Sequence, residues 1–565
     1  MVEMKIALVG GGPSALFMVK KLIAADLGPI SIDVFESATA LGKGMPYSHK
    51  GALNDHISNV SSDELPPLVD TLESWLKQQD PAMLTPFHID GSQFHAKVVV
   101  PRLLLGSYLE DQFHQLIAQG QRLGIRFTIH LNSTVCDIEQ SATYSIIVNS
   151  NRYDGFDKVI ICTGHLWPKQ QEAEVAGYFN SPYPPHKLNK IFNHPVALKG
   201  SSLTAVDAIR TLSKANGHFL LQDKRLIYQV AANSTDFKIV MFSLDGLLPS
   251  VRYHVDDTLL SSEHMLTDQQ LVRHKHANAG FVSLDFLFEQ NFKQIIKHID
   301  PNFYQTIAGK NLESFANWLL ESRKAFEPFN LLTIEYIQAE QSIQTKQSIH
   351  WKKLFSLLSF SINHPAKYLS AEDMLRLQQI LQPLIAIIIA DIPQSSAEQL
   401  LALHNCGKLD IIAVDTTSQI KIKNDHEFYY VFKDSNQCEQ VHEFKTFIDC
   451  TGQKPFAMSE FPFKSLFINK QTQAARVKFK HPYYAAALVQ SGAKDISLAV
   501  DADYYLNLPG FAINDDYQFV YADGSVCNSC FMMAVPFISG FNPDYSGFDF
   551  CDQVSSIIVE KLKQS

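Results

Sequence analysis

A glycine-rich turn near the N-terminus constrains the fold of this chain most strongly. The segment "KIALV", residues 5–9, has the pattern of a buried strand, "GGGPSA" follows as a tight turn, and "LFMVKKLIAADL" has apolar residues at helical spacing. Gly10, Gly12 and Ala15 match G-x-G-x-x-A, in which the first glycine permits the turn, the second admits a pyrophosphate and the small third residue allows close packing. This order predicts a dinucleotide-binding βαβ unit.

A carboxylate completes the predicted unit. The next buried strand, "SIDVF" at residues 31–35, ends beside Glu36, which lies 26 positions after Gly10. A carboxylate there can accept hydrogen bonds from the ribose hydroxyls of an adenosine. The free N–H groups and the dipole at the start of the helix favour a phosphate. The expected binding residues of this unit are Gly10, Gly12, Pro13, Ser14, Ala15 and Glu36.

The same arrangement returns later in the chain. The segment "VALKGSSLTAVDAI", residues 196–209, again has the order strand, turn and helix. Two buried strands end in Cys-Thr-Gly, in "FDKVIICTGH" and in "FKTFIDCTGQKP". Such duplication is typical of flavoproteins with two dinucleotide-binding domains. Thr163 and Gly164, in the first of these turns, lack bulk and are expected to close over a cofactor phosphate or ribose.

Composition excludes several classes of function. The 48 basic and 58 acidic residues give a formal charge of −10 without a basic cluster, so nucleic acid is not an expected partner. The longest strongly apolar run, residues 384–390, is far shorter than the roughly 20 residues that cross a bilayer. The N-terminus lacks a basic n-region, and the 8 cysteines show no regular spacing. We expect a cytoplasmic protein without a membrane partner that acts on a small molecule; its oligomeric state stays open.

Several segments in a fixed order carry a family resemblance. They are "GGGPSA", "GKGMPYS", "ISNVSSDELP", "VPRLLLGSYL", "VIICTGH", "GSSLTAVDAI", "DGLLP" and "FIDCTG". Together they resemble the bacterial FAD/NAD(P)-binding family that includes the YdhS-like flavoproteins. The resemblance implies FAD on the first turn, with NADH or NADPH as a possible second nucleotide. The closing segment "FMMAVPFISGFNPDYSGFDF" is similar in character to the final strand and helix of a flavoprotein.

The resemblance also implies which residues lie beside the flavin. The loop after Glu36 is expected near the flavin, and Arg102 can pair with a pyrophosphate or a flavin carbonyl. The alternative for these positions is a surface loop and an arginine in an ordinary ion pair. The flavin-side candidates are Gly42, Gly44, Tyr47, Asn59 and Arg102, and Val135 is a further candidate for cofactor binding.

The expected fold class is α/β, a two-dinucleotide-binding (Rossmann-like) flavoprotein with a helical insertion, because helical patterns dominate from about residue 260 to 405. Four parts are expected in chain order. They are the first part of the FAD-binding domain at 1–185, a second Rossmann-like NAD(P)-type lobe at 186–260, the helical insertion at 261–405, and a return to the nucleotide lobes with the C-terminal part of the FAD domain at 406–565.

The second glycine turn departs from the family pattern. Gly200, Ser201 and Ser202 stand where the family usually has Gly-x-Gly, and the Cβ and hydroxyl of Ser202 occupy space that a pyrophosphate would use. Asp245 stands where the family commonly has basic residues; a carboxylate repels a 2′-phosphate and accepts a ribose 2′-hydroxyl, which favours NADH. Three interpretations stay open: a working NADH site, a site for another ligand, or a packing relic.

Other candidate residues carry weaker signals. Cys527 and Cys530 form C-x-x-C, which is either a redox pair or two buried thiols. His274 and His276 lack a third ligand at a recognisable spacing, so no metal site is expected. Trp318 and Trp351 are expected in the core.

The expected function is that of an FAD-dependent oxidoreductase of unknown substrate, in which the flavin carries the redox chemistry. Such chemistry does not require an acid or base from the protein, so no catalytic side chain is assigned. One alternative is an N-hydroxylating type of flavin monooxygenase. The other is a non-catalytic binding or regulatory protein that FAD stabilises.

Overall fold

The computed structural model describes residues 3–90, 94–97, 99–165, 167, 172, 174–255, 266–424, 427–434, 436–467, 472–543 and 547–564. The chain divides into two compact units. Unit 1 contains residues 1–166, 363–372 and 454–565, and unit 2 contains residues 167–362 and 373–453.

The N-terminal part of unit 1 contains nine strands and four α-helices among its described residues. In chain order they are β1 (Met4–Val9), α1 (Pro13–Ala24), β2 (Ile30–Phe35), β3 (Ile57–Ser61), α2 (Leu72–Lys77), α3 (Pro81–Leu84), β4 (Val99–Pro101), α4 (Arg102–Arg122), β5 (Arg126–His130), β6 (Val135–Gln140), β7 (Tyr144–Val148), β8 (Asn151–Phe156) and β9 (Lys158–Ile161).

The middle of the chain begins with strands, continues with helices and returns to strands. The elements are β10 (Tyr178–Phe179), β11 (Pro195–Lys199), α5 (Leu203–Asn216), β12 (Gly217–Gln222), β13 (Arg225–Val230), β14 (Lys238–Ser243), α6 (Asp268–Ala277), α7 (Leu284–Phe288), α8 (Gln294–Ile299), α9 (Pro301–Ile307), α10 (Leu312–Lys324), α11 (Pro328–Thr345), α12 (His350–Asn363), α13 (Ala371–Arg376), α14 (Gln382–Ile388), α15 (Gln394–Asn405), β15 (Leu409–Ala413), β16 (Gln419–Asn424), β17 (Glu427–Lys433), β18 (Glu439–Phe444) and β19 (Thr446–Asp449).

The C-terminal part returns to unit 1. Its elements are β20 (Ala474–Lys478), α16 (Pro482–Gln490), β21 (Ile496–Leu498), β22 (Tyr504–Phe511), β23 (Gln518–Val520), β24 (Val526–Met532) and α17 (Phe548–Lys563).

The main sheet of unit 1 has the order β23-β24-β9-β1-β2-β5. Every pair of neighbouring strands is parallel except the pair of β23 and β24, which is antiparallel. Strand β2 is buried along its whole length, and Ile6, Leu8 and Val34 are fully buried, because helices cover both faces of such a sheet. Helix α1 buries Leu16, Val19 and Leu22, and the C-terminal helix α17 packs against α1.

The main sheet of unit 2 repeats this topology. Its order is β10-β19-β11-β14-β15, and all its pairs are parallel. Strands β11, β14, β15 and β19 correspond in order to β1, β2, β5 and β9 of unit 1. An antiparallel sheet of three strands precedes the last strand of each set, β6-β7-β8 in unit 1 and β16-β17-β18 in unit 2. The expected α/β fold with two Rossmann-like lobes is therefore confirmed.

Helices α6 to α15 lie between β14 and β15, which confirms the expected helical insertion. They are amphipathic: α10 buries Leu312, Phe315 and Leu319 on one side. Two π-helical segments, Glu289–Lys293 and Leu377–Leu381, interrupt the regular helices. The division of the chain into four consecutive parts stays a prediction. In the part of the chain that the structure describes, no helix has the length and apolar character to cross a membrane.

Candidate functional site

The first glycine turn has the backbone that its sequence predicts. Gly10 adopts φ +104°, and a Cβ atom there would lie 2.7 Å from the carbonyl oxygen of Cys162, so glycine is required on both grounds. Gly12 caps α1, and Pro13 occupies its first turn, where its missing N–H is no loss. No side chain caps the N-terminus of α1. Its backbone N–H groups are therefore available to an anion.

Glu36 holds this turn in place. Its Oε2 accepts a hydrogen bond from the Gly11 amide at 2.8 Å, and its Oε1 accepts from the amide of Ala38 at 2.7 Å and from the hydroxyl of Ser37 at 3.1 Å. A carboxylate offers about four acceptor positions, so one position is left for a ribose hydroxyl. Ribose binding by Glu36 stays a prediction. The structure shows in addition that its carboxylate joins the glycine turn to the start of the following loop.

The loop after Glu36, which contains Gly42 and Gly44, packs onto the turn; its place beside the flavin stays a prediction. The Gly42 amide donates to the carbonyl of Gly11 at 2.7 Å. Gly42 adopts φ +80°, and a Cβ there would lie 2.6 Å from the carbonyl oxygen of Leu109. A Cβ on Gly12 would lie 3.3 Å from the Cα of Gly44. The small residues therefore let the loop approach the turn and the helix start closely.

Tyr47 lies near Arg102 and against the C-terminal helix. The ring of Tyr47 stacks on Phe548, the first residue of α17, with centroids 5.4 Å apart. Burial raises the pKa of Tyr47 to about 12, and the positive charge of Arg102 acts in the opposite direction. Arg102 is the first residue of α4, and its amide donates to the carbonyl of His56 at 2.7 Å.

Four other predicted positions lie in unit 1. Asn59 is an exposed residue of β3, whose pairing with β4 brings it close to the start of α4. Thr163 and Gly164 follow β9, and a Cβ on Gly164 would contact nothing within 4 Å, so packing does not require glycine there. Val135 begins β6, two residues after Ser133, whose amide donates to the Glu36 carbonyl at 2.8 Å.

Sequence reasoning missed two polar side chains between β24 and α17. The buried Ser539 Oγ and Asn542 Nδ2 have no hydrogen-bond partner among the described residues. Unpaired buried polar atoms are costly unless a ligand satisfies them. No motif marks these positions; only the likeness of the segment to a flavoprotein's closing strand could have indicated them. Both residues belong to unit 1, which also contains the first glycine turn.

The second glycine turn, in unit 2, matches the first. Gly200 adopts φ +107°, and a Cβ there would lie 2.8 Å from the carbonyl oxygen of Cys450. Ser202 caps α5 without a side-chain capping bond, and Ser201 donates its hydroxyl to the Leu247 carbonyl at 2.7 Å. The second turn therefore keeps the backbone conformation of the first. Ser202 differs from a glycine only in the space that its side chain occupies.

Asp245 lies just beyond the end of β14, and its role in nucleotide binding stays a prediction. Its Oδ1 is 3.6 Å from the Nζ of Lys324, at the end of α10. Lys324 is 79 positions away in the chain, so sequence reasoning could not place a cation beside this carboxylate. Both residues line a cleft at the carboxyl ends of β14 and β15.

Cys527 and Cys530 do not form a redox pair in this fold. Both lie in β24, where residues three positions apart point to opposite faces and are about 10 Å apart, beyond the roughly 7 Å that a disulfide permits. Both thiols are free and buried. Burial raises the pKa of Cys530. Burial also acts to raise the pKa of Cys527, but hydrogen bonds from Tyr521 and Tyr144 lower it below its usual value.

The other candidate side chains contact neighbouring protein residues. The His274 ring stacks on Phe286 with centroids 3.9 Å apart, and its Nε2 lies 3.2 Å from the Ser283 hydroxyl. Trp318 packs near Phe315, with ring centroids 6.2 Å apart. Among the residues whose placement is described, no group of three His, Cys, Asp or Glu side chains could hold a metal ion.

Comparisons with known proteins agree with this geometry. Residues 7–166 match the family described as FAD-NAD(P)-binding, and residues 267–389 match the YdhS-like middle domain. The YdhS protein of Escherichia coli (strain K12) is 29% identical over 469 residues, which cover 82% of this chain and 85% of that protein.

Two solved structures show a more distant likeness. DfoA of Erwinia amylovora, a cadaverine monooxygenase of desferrioxamine biosynthesis bound to FAD, is 10% identical with a TM-score of 0.47, over 100% of this chain and 95% of that chain. The ornithine hydroxylase PvdA of Pseudomonas aeruginosa is 10% identical with a TM-score of 0.46, over 100% and 99%. At these identities and TM-scores the likeness carries no argument about the activity of this chain. The chain carries an FAD-NAD(P)-binding domain and a YdhS-like middle domain, which confirms its resemblance to the YdhS-like flavoproteins.

Proposed function

We propose that this protein is an FAD-dependent oxidoreductase whose flavin is held by unit 1. The observation that carries the proposal is the first turn, which combines an uncapped helix N-terminus, the glycines Gly10 and Gly12 and the braced carboxylate of Glu36, the arrangement that binds a dinucleotide. The match of residues 7–166 to the FAD-NAD(P)-binding family supports the same ligand class.

The protein's own residues position the cofactor and shield it. The N–H groups of α1 bind the pyrophosphate, and the remaining acceptor position of Glu36 binds the adenosine ribose. Ser539 and Asn542 supply a hydroxyl and an amide that need partners. The stacked pair of Tyr47 and Phe548 excludes water from one side. When bound, FAD supplies hydride chemistry at its N5 atom.

The second turn makes a nicotinamide nucleotide the proposed reductant. Gly200 repeats the close approach of Gly10, and α5 begins without a side-chain cap, as α1 does. Asp245 favours NADH over NADPH because a carboxylate repels a 2′-phosphate. The substrate class is a small molecule.

An absorbance spectrum of the purified protein, followed by anaerobic addition of NADH and of NADPH in separate samples, tests the proposal. We expect flavin bands and bleaching with NADH. A protein without flavin bands after reconstitution with FAD would contradict the proposal. Reduction by NADPH followed by oxygen uptake would favour the N-hydroxylating type of monooxygenase. Bound flavin that neither nucleotide reduces would favour a non-catalytic binding or regulatory protein.

A further inference from the structure

A cleft of about 560 Å³ lies in unit 2, at the carboxyl ends of β14 and β15. Ligands of open α/β sheets bind at this edge, and the volume is within the roughly 300–1,000 Å³ typical of small-molecule sites. Part of the lining follows β14 and β15, and another part comes from the turn after β17. The remaining wall is the segment from Lys324 to Pro328, between α10 and α11 of the helical middle domain.

Large apolar side chains are exposed inside this cleft. Phe326 is 48% exposed and Leu244 is 58% exposed, and both line the cleft. Exposed apolar surface within a concave site marks ligand binding more often than chance exposure does. A flat aromatic ring at such a site stacks on a nucleobase.

The charged side chains that line the cleft affect which nucleotide it can bind. Two lysines, Lys324 and Lys433, face three aspartates, Asp245, Asp415 and Asp434, which gives a net formal charge of −1. Hydrogen bonds from backbone amides, first that of Lys433, hold the pKa of Asp415 below its usual value. The amide of Cys438 and the Gln440 side chain do the same for the pKa of Asp434. The carboxylates of Asp415 and Asp434 are therefore ionised at neutral pH.

The ion pair of Asp245 and Lys324 sets the polar side of the cleft. At 3.6 Å the two groups neutralise each other in part while they stay accessible, with side chains 24% and 35% exposed. A ribose 2′-hydroxyl can donate to Asp245. A dianionic 2′-phosphate would instead meet an excess of carboxylates, which costs binding energy.

We propose that the YdhS-like middle domain forms one wall of the adenosine pocket for the second nucleotide. Phe326 packs on the adenine, Asp245 accepts from the ribose 2′-hydroxyl, and Lys324 orients Asp245, so that the cleft selects NADH over NADPH. The inference rests on the proposed function only in taking unit 2 as a nucleotide-binding lobe. It assigns the helical insertion a role in nucleotide recognition that the glycine turn alone does not supply.

Direct binding tests this pocket without relying on catalysis. Isothermal titration of the full-length protein uses ADP-ribose and 2′-phospho-ADP-ribose as probes. We expect Phe326→Ala to weaken both ligands by about tenfold, since base stacking contributes on that scale. Phe360→Ala is the matched control, because Phe360 is 37% exposed and lies outside the cleft lining. Equal effects of the two substitutions would overturn the inference.

The preference between the two probes tests the charged side. We expect Asp245→Asn to reduce the preference for ADP-ribose by about tenfold, and Lys324→Gln to weaken 2′-phospho-ADP-ribose more than ADP-ribose. An unchanged preference in Asp245→Asn would contradict the assigned role. Wild-type protein that binds neither probe at millimolar concentration would overturn the pocket even if it retains FAD. A protein without FAD whose probe binding still depends on Phe326 would instead overturn only the proposed oxidoreductase function.

Discussion

Gly12 and Ser202 begin their helices with nearly the same backbone angles, φ −80° and ψ −161° for Gly12 and φ −87° and ψ −163° for Ser202. These angles are open to any residue, so the loss of glycine at Ser202 does not strain the second turn. The difference between the two turns is the space that the serine side chain takes from a ligand.

Replacing Ser202 with glycine tests that difference. We expect Ser202→Gly to bind NADH several-fold more tightly, because a pyrophosphate could then approach the backbone more closely. The loss of stability should be only a few tenths of a kcal/mol, the usual cost of Ser→Gly at a helix cap. Titration calorimetry and thermal unfolding measure the two effects. Weaker NADH binding in this variant would show that the hydroxyl contributes a hydrogen bond to the ligand.

Gly10 is expected to tolerate no side chain. Gly10→Ala places a Cβ 2.7 Å from the Cys162 carbonyl oxygen at a backbone φ of +104°. We expect a loss of at least about 1–3 kcal/mol in the free energy of unfolding, together with loss of bound flavin. Urea unfolding and the flavin absorbance measure these effects. The control is Gly309→Ala, since a Cβ there contacts nothing within 4 Å; equal losses in both variants would contradict the assigned geometry.

The buried charges of the middle domain are expected to depend on one carboxylate. Glu335 Oε1 accepts from Arg323 at 2.6 Å and from Lys352 at 3.1 Å, and all three side chains are almost fully buried. Glu335→Gln leaves two buried cations without a counter-charge, which typically costs about 3–5 kcal/mol. Urea unfolding at pH 7 measures the loss. Glu321→Gln is the control, because that carboxylate is 72% exposed.

The pH dependence of this effect has a defined sign. Burial acts to raise the pKa of Glu335, but the charges of Lys352 and Arg323 lower it below the usual 4.5. The unfolded state therefore binds a proton at higher pH than the folded state does, and the stability from Glu335 is complete above pH 4.5 and falls as the pH drops through the folded pKa. We expect the difference between wild type and Glu335→Gln to narrow below pH 4.5. A constant difference down to pH 3 would contradict this assignment.

The two cysteines of β24 are expected to stay reduced. Because Cys527 and Cys530 point to opposite faces of the strand, mild oxidation of the folded protein should not join them. Mass spectrometry after treatment with oxidised glutathione and alkylation detects any disulfide. Cys530→Ala should leave flavin reduction by NADH unchanged. A bridge between Cys527 and Cys530 in the folded protein would contradict the strand assignment.

Much of the nucleotide-binding framework could be predicted locally. The turn at Gly10, the helix after it and the carboxylate of Glu36 lie within one βαβ unit, where strand periodicity and turn chemistry act over short distances. The repeated turn at Gly200 and the helical insertion followed from the same signals. The braced state of Glu36 could not be predicted, because periodicity does not show which backbone amides a carboxylate accepts from.

The sequence by itself determined the two glycine turns, because a tight turn between strand and helix has strict local requirements on side-chain size and backbone angles. Only the tertiary structure decided the surroundings of these turns. Phe548 stacks on Tyr47 from the far end of the chain, and Lys324 reaches Asp245 from helix α10. Such contacts depend on how distant elements pack, and no local pattern of residue types specifies that packing.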